Sequence, residues 1–220
     1  MYDLSTVIDV PRLAAVDPGT SFLISGPAMT GTDAIAMDVL AGGAARGEGA
    51  VAVTTQGSAE TIIEAIQERS PGADPRHLAA IDCRRDGDGR AGAIGESYRY
   101  QVADPSDVTG MGVGITNSFD RLQGSGVDRI RFGLVTLSTM LTYADEETIF
   151  KFCHVLSSRI DAAGYLGAFT IDEGAHDAKT LQVLKQPFDA ILEVREQDGG
   201  REARVRGFGS DPTDWVPLRG

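Results

Sequence analysis

Short apolar runs alternate with amphipathic stretches along the whole of this chain, and that alternation restricts the fold more than any single residue does. The runs Phe22–Ser25, Val51–Thr54, Leu78–Asp82, Arg131–Leu137, Leu166–Ile171, Ala190–Arg195 and Ala203–Phe208 have the length and composition of strands. Between them, Asp33–Ala45, Ala59–Arg69, Val113–Gln123, Glu146–Ala163 and Ala178–Lys185 have helical spacing. Strand and helix in turn predict βαβ units, and so an α/β fold with a mostly parallel sheet sandwiched by helices. Only the turn-rich Glu196-Gln197-Asp198-Gly199-Gly200 separates the last two runs, which predicts a C-terminal antiparallel hairpin at the sheet edge. No repeat or domain-length linker interrupts the chain, so residues 1–220 are expected to form one domain.

The helix pattern Glu146–Ala163 is the clearest. Ile149, Phe152, Cys153, Leu156 and Ile160 recur at three and four residues to form one apolar stripe, with Asp145 as N-cap and Gly164 as C-terminal stop. His154 has no partner at helical spacing and reads as a packed or surface histidine. The segment Arg84–Arg99, centred on Asp86-Gly87-Asp88-Gly89, reads as a loop, and Asp104–Gly114 as a turn followed by a helix start.

Charge narrows the partners. Net charge is −12 and the isoelectric point about 4.6, which argues against a nucleic-acid footprint, since that needs clustered positive surface. Lysine occurs only at 151, 179 and 185; the other basic residues are arginine. An acidic, lysine-poor surface resembles that of proteins from salt-loving archaea, where salt screens self-repulsion. An acidic protein from a GC-rich genome, where arginine codons are favoured, would share the bias. No apolar run approaches the roughly 18 residues of a membrane span, and no basic-then-apolar leader opens the sequence. Cys83 and Cys153 lie far apart without a CxxC partner and read as buried free thiols, so a cytoplasmic location is expected.

The first strand runs into Gly26-Pro27-Ala28-Met29-Thr30-Gly31-Thr32-Asp33 and then a helix. Strand, glycine-bearing loop and helix are the context in which backbone amides and a helix dipole cradle a phosphate. The pattern GxxxxGK[ST] is met at Gly26 and Gly31 and fails at the last two positions, where Thr32 replaces lysine and Asp33 replaces the magnesium-binding hydroxyl.

The order SGPAMTGTD, AVAVTTQGSAETIIEAI, RIRFGLVTLSTMLTYAD and TIFKFCHVLSSRIDAAGYLGAFTID, closed by DAILEVRE and REARVRGF, resembles the RecA/KaiC family of P-loop ATPases across nearly the whole chain. More narrowly it looks like the shortened lineage of that superfamily found in haloarchaea. The resemblance implies a RecA-like P-loop core. It also exposes departures. Where the family places catalytic glutamates after its second strand, this chain has Thr55, Gln56 and Gly57; where it has a metal-associated aspartate, the best register puts Val135. Phe132–Thr142 contains no carboxylate in any register.

The lost lysine contact removes about 1.5–3 kcal/mol. A carboxylate at Asp33, taken as about 5 Å from a phosphate charge, adds about 3 kcal/mol of repulsion at an effective dielectric near 20. Together these weaken nucleotide binding more than about a thousandfold. Asp33 could instead satisfy the helix amides and stand in for the phosphate.

The expected protein is therefore a non-catalytic RecA/KaiC-like regulatory or scaffold protein, for example in signalling. It would use protein partners or self-association as a homo-oligomer, with no cofactor, metal, nucleic acid or membrane. The alternatives are an ATP-binding module, with ATP and Mg2+ held weakly at Gly26–Asp33, and an atypical ATPase using Asp33, Gln56 or Asp172. Two further groups are weighed. Asp172, Glu173, His176 and Asp177 cluster after one strand and read as turn and helix caps. Ser138 and Thr139 have no histidine or lysine placed beside them by sequence, so no hydrolase triad can be read.

Overall fold

The computed structural model describes residues 1–84, 91–209 and 211–218. Its ten strands form one sheet: β1 (Ser21–Gly26), β2 (Gly49–Thr54), β3 (Leu78–Asp82), β4 (Ala91–Ile94), β5 (Ser97–Gln101), β6 (Ile130–Val135), β7 (Leu166–Asp172), β8 (Ala190–Gln197), β9 (Gly200–Gly207) and β10 (Val216–Pro217). The order is β10-β9-β8-β1-β7-β6-β2-β3-β5-β4. Pairing is parallel from β8 through β5 and antiparallel at β8/β9, β9/β10 and β4/β5. β1, β2 and β3 are buried along their whole length, which is why they read as continuous apolar runs rather than alternating ones.

Among the described residues, six α-helices cover the sheet: α1 (Thr32–Ala44), α2 (Ala59–Arg69), α3 (Val108–Gly124), α4 (Leu137–Tyr143), α5 (Glu146–Ala163) and α6 (Ala178–Leu184). Met37 and Leu40 of α1 and Ile63 and Ile66 of α2 pack with Ala50, Ala52, Leu78 and Ala80 on one face. Met111, Ile115 and Phe119 of α3 and Ile149, Cys153 and Ile160 of α5 pack with Val51, Val53, Phe132 and Phe169 on the other. None of the helices among the described residues is long and apolar enough to cross a membrane. Asp145 accepts from Thr148 N at 2.9 Å and Gly164 takes the left-handed conformation at φ 68°, so α5 begins and ends on the residues expected of it. His154 is exposed and stacks on Phe150. Both thiols are buried, which raises the pKa of Cys83 and pushes that of Cys153 up to about 12.

Four expectations need correction. The strand expected over Arg131–Leu137 stops at Val135, because Thr136 leaves the sheet and its hydroxyl accepts from Ser138 N to start α4. The expected loop Arg84–Arg99 holds the hairpin β4–β5 in its second half, turning at Gly95 (φ 57°); residues 85–90 lie outside the described ones. Helix α3 starts at Val108 rather than Val113, capped by Asp107, which accepts from Gly110 N at 2.7 Å. The β8–β9 hairpin turns through Asp198 (φ 52°) and Gly199 (φ 78°), the two positive φ values of a tight hairpin turn, but β10 lies outside it, so the hairpin is one strand in from the sheet edge.

The first eighteen residues, which have no strand or helix signature of their own in the sequence, bury Leu4, Ile8 and Leu13 against Ile35 and Val39 of α1 and Ile24 and Leu192 of the sheet, and bring Tyr2 to the amino ends of β6 and β7. Tyr2 pairs with Val16 in a single bridge, and its hydroxyl donates to Gly164 O at 3.0 Å. Beside it, the fully buried guanidinium of Arg131 donates to Glu48 Oε2 at 2.6 Å and Val39 O at 3.0 Å.

Candidate site at the phosphate-loop position

The loop between β1 and α1 is shaped by its two glycines. A Cβ on Gly26 would fall 2.7 Å from Val194 O of β8, and Gly31 sits at φ 85°, a conformation that L side chains rarely adopt. Thr30 is buried and ties the loop to itself, its hydroxyl donating to Pro27 O at 2.7 Å. Met29 at the tip has φ 65° and is fully exposed. Beyond the loop, at the carboxyl ends of the strands, lies a cavity of about 470 Å3 lined by Pro27, Ala28, Met29, Thr32, Asp33, Gln56, Thr136, Ser138 and Asp172 among others. This is where an open α/β sheet gathers ligands.

Thr32 and Asp33 at the start of α1 therefore share one cavity with Gln56, which follows β2. Val135 is not among the lining residues: it ends β6 partly buried against the apolar cluster that includes Ile35 and Val39 of α1, and its carbonyl accepts from Thr55 N at 3.0 Å. Several of the polar groups that do line the cavity are already hydrogen-bonded within the protein. Asp33 Oδ1 accepts from Thr170 Oγ1 at 2.8 Å, and Gln56 Nε2 donates to Thr139 Oγ1 at 3.1 Å. No lysine or arginine lines the cavity among the described residues, and its two carboxylates are Asp33 and Asp172.

Asp33 behaves differently from the phosphate stand-in expected of it. No side chain caps α1 at Gly31, and the Asp33 carboxylate points across to β7 rather than back to the loop amides. The reason is the buried Thr170 hydroxyl, which would lack an acceptor in an apolar setting without it. The amides at the start of α1 are thus left without a side-chain cap.

One cation does approach the loop, from a strand no motif pointed to. Arg201 of β9 lies over Gly31, so that a methyl group there would overlap its Nη1 and sit 3.4 Å from its Cζ. Its cross-strand neighbour is Glu196, yet its guanidinium makes no hydrogen bond or ion pair among the described residues. The other arginines of the hairpin are paired, Arg195 with Glu202 and both Arg204 and Arg206 with Glu193.

The structure also corrects the reading of Ser138. His176 Nε2 lies 2.9 Å from Ser138 Oγ, which accepts in turn from Asp172 N at 3.0 Å. Sequence spacing hid this because the two residues follow neighbouring strands, β6 and β7, and meet only at their carboxyl ends. The Asp172 carboxylate accepts from Gly174 N, so it does not orient the ring, and the pair fastens the turn after β7 to α4. The remaining acids of that turn hold structure as anticipated. Asp177 caps α6 through Thr180 N at 2.8 Å. Glu173 accepts from Ser25 Oγ at 2.6 Å and Lys185 Nζ at 3.0 Å. Burial opposes its charge, but these two donors outweigh it and hold the Glu173 carboxyl below its ordinary pKa.

Comparison with known proteins supports the fold. The KaiC-like protein PH0186 of the hyperthermophilic archaeon Pyrococcus horikoshii OT3 superposes with a TM-score of 0.62 over 99% of this chain and 91% of its own, at 14% sequence identity. That likeness establishes a RecA/KaiC-like fold. No curated protein matches the sequence. A family model described as "Family of unknown function (DUF7504)" matches residues 19–194, from the start of β1 into β8. With the matched span covering the phosphate-loop position, the cavity and most of the parallel sheet, the chain belongs to the DUF7504 family.

Proposed function

We propose that this is a non-catalytic regulatory or scaffold protein, a RecA/KaiC-like core that works through contacts with protein partners or with further copies of itself. The observation that carries the proposal is the chemistry of the cavity. Phosphoryl transfer needs a cation on the phosphate, a held metal and a group that orients the nucleophile. Here Thr32 replaces the cation, the Asp33 carboxylate is bonded to Thr170, Gln56 is tied to Thr139, and Val135, which brings no carboxylate, packs in an apolar cluster. The acidic, lysine-poor composition supports a salt-adapted setting and no nucleic-acid partner. The test is ATP turnover with Mg2+ in molar KCl. Background rates are expected; turnover at about 0.1 per second or faster, lost on changing Asp33 or Gln56, would overturn the proposal.

Arg201 favours a second reading, nucleotide binding without hydrolysis. A guanidinium over Gly31 supplies part of the charge that Thr32 lacks, at the loop where amides and the α1 dipole favour an anion. Titration calorimetry with ATP, ADP and GTP decides between the two: micromolar affinity that falls on Arg201→Ala selects this reading, and millimolar or weaker affinity leaves the first.

A further inference from the structure

On the face of the sheet opposite α1 and α2, helices α3 and α5 leave an apolar groove of about 360 Å3 between them. Its walls are Val108 and Ile115 of α3 and Phe152, Val155 and Leu156 of α5. Val155 is 66% exposed, although it sits between charged residues on a helix that otherwise turns its apolar side inward. Gly112 also lines the groove, and a Cβ there would meet nothing within 4 Å. Glycine is a poor helix former, and no packing contact requires it at this position of α3. What it provides is open space.

The rim of the groove carries charge opposite to that of the molecule. Lys151 and Arg159 lie on the same stripe of α5 as Val155, about 12 Å apart by helix rise. Glu147 pairs with Lys151 at the amino end of α5. Arg159 has no carboxylate partner among the described residues: its guanidinium donates to Thr116 Oγ1 and lies 5.9 Å from the Phe119 ring centroid. In a chain of net charge −12, an arginine without a carboxylate beside an exposed valine and an open groove calls for an acid from outside.

We infer that this groove docks an amphipathic helix of a partner protein, whose apolar side chains enter between α3 and α5 and whose carboxylate meets Arg159. Apolar anchors three and four residues apart on the incoming helix would lie along the groove, as in other helix-in-groove recognition. The groove is one way the proposed role in protein contacts would be carried out, but it shares no residue with the phosphate-loop cavity. ATP turnover would therefore overturn that role and leave the groove standing, and failure to bind a helix would do the reverse.

The test uses the full chain and two fluorescein-labelled helical peptides of about 18 residues, roughly five turns. Both carry leucines along one face; one is flanked by glutamates and the other by lysines. Long-range attraction to a protein of net charge −12 favours the lysine peptide, so the expected tenfold preference for the glutamate peptide in fluorescence anisotropy reports Arg159 directly. Arg159→Glu is expected to reverse the preference. Gly112→Leu fills the groove where there is room for a side chain, so it should keep or raise the wild-type melting temperature and weaken both peptides at least tenfold. A wild-type preference for the lysine peptide, no binding of either peptide, or undiminished binding by a folded Gly112→Leu variant would overturn the inference. So would a dimer in sedimentation that Gly112→Leu converts to monomer, since the occupant would then be a second copy.

Discussion

The two ends of the parallel sheet solve the problem of buried polar groups in different ways. At the amino ends, Arg131 is fully buried and ionic. Its charge is met by Glu48 and the backbone carbonyls of Val39 and Asp3, and Tyr2 closes over the pair. Burial lowers the Arg131 pKa, and the Glu48 bond and charge oppose that shift. At the carboxyl ends, the polar side chains in and around the cavity are bonded in short pairs: Asp33 with Thr170, Gln56 with Thr139, Ser138 with His176. A P-loop enzyme concentrates its charge at the carboxyl ends, where the phosphates bind. Among the described residues, the ion pair with both side chains buried, Arg131 with Glu48, lies at the other end.

The largest effect should come from breaking that ion pair. Arg131→Ala leaves Glu48 buried without its main partner and is expected to cost about 3–5 kcal/mol of stability in urea melts. The double change Arg131→Leu with Glu48→Met should recover most of it, because it removes both charges together. Equal losses in the single and double variants would show that the arginine acts through packing, and the contrast between the two ends would weaken.

A smaller effect is expected at the carboxyl ends. Asp33→Ala strands the buried Thr170 hydroxyl and should cost about 1–3 kcal/mol, whereas Asp33→Asn keeps an acceptor and should cost less than half as much. If Asn and Ala are equally destabilising, the charge at the first turn of α1 matters more than the bond to Thr170, and the helix-capping account returns.

The smallest effect concerns pH. Glu173 has a folded pKa below its ordinary value, so the stability it contributes is present at neutral pH and is lost as pH falls through that lowered value. Glu173→Gln should lower the melting temperature by a few degrees at pH 7 and converge with wild type in acid. Parallel curves down to about pH 3 would mean that the bonds to Ser25 and Lys185 do not depend on the carboxylate charge.

Much of the fold was legible because its signals are local. Strands β1, β3 and β7 and helices α2 and α5 fall within a residue of where periodicity puts them, since each is a run of apolar residues or a capped stripe. The misses share a cause as well. β4 and β5 hide in a glycine-rich charged stretch that becomes strand only by pairing with β3, and α4 hides in what looks like the tail of β6. At the site, the loop glycines and the positions Thr32, Asp33, Gln56 and Val135 could be read from spacing and from the family resemblance. The bond from Thr170 to Asp33, the meeting of His176 with Ser138 and the approach of Arg201 to Gly31 could not.

By itself, then, the sequence determined the alternation of elements, the parallel character of the sheet, the glycine loop after β1 and the residue types missing from it. These follow from local periodicity and from the steric freedom of glycine, which act within a few residues of chain. Tertiary structure alone decided which polar groups meet. Asp33 and Thr170 are separated by 137 residues, Ser138 and His176 by 38, and Arg131 and Glu48 by 83. A side chain's partner depends on strand order and register, and in this sheet the order β1-β7-β6-β2 brings together the carboxyl ends of strands distant in the chain. Whether a carboxylate caps a helix, satisfies a hydroxyl or repels a ligand is then set by what that order puts within 3 Å of it.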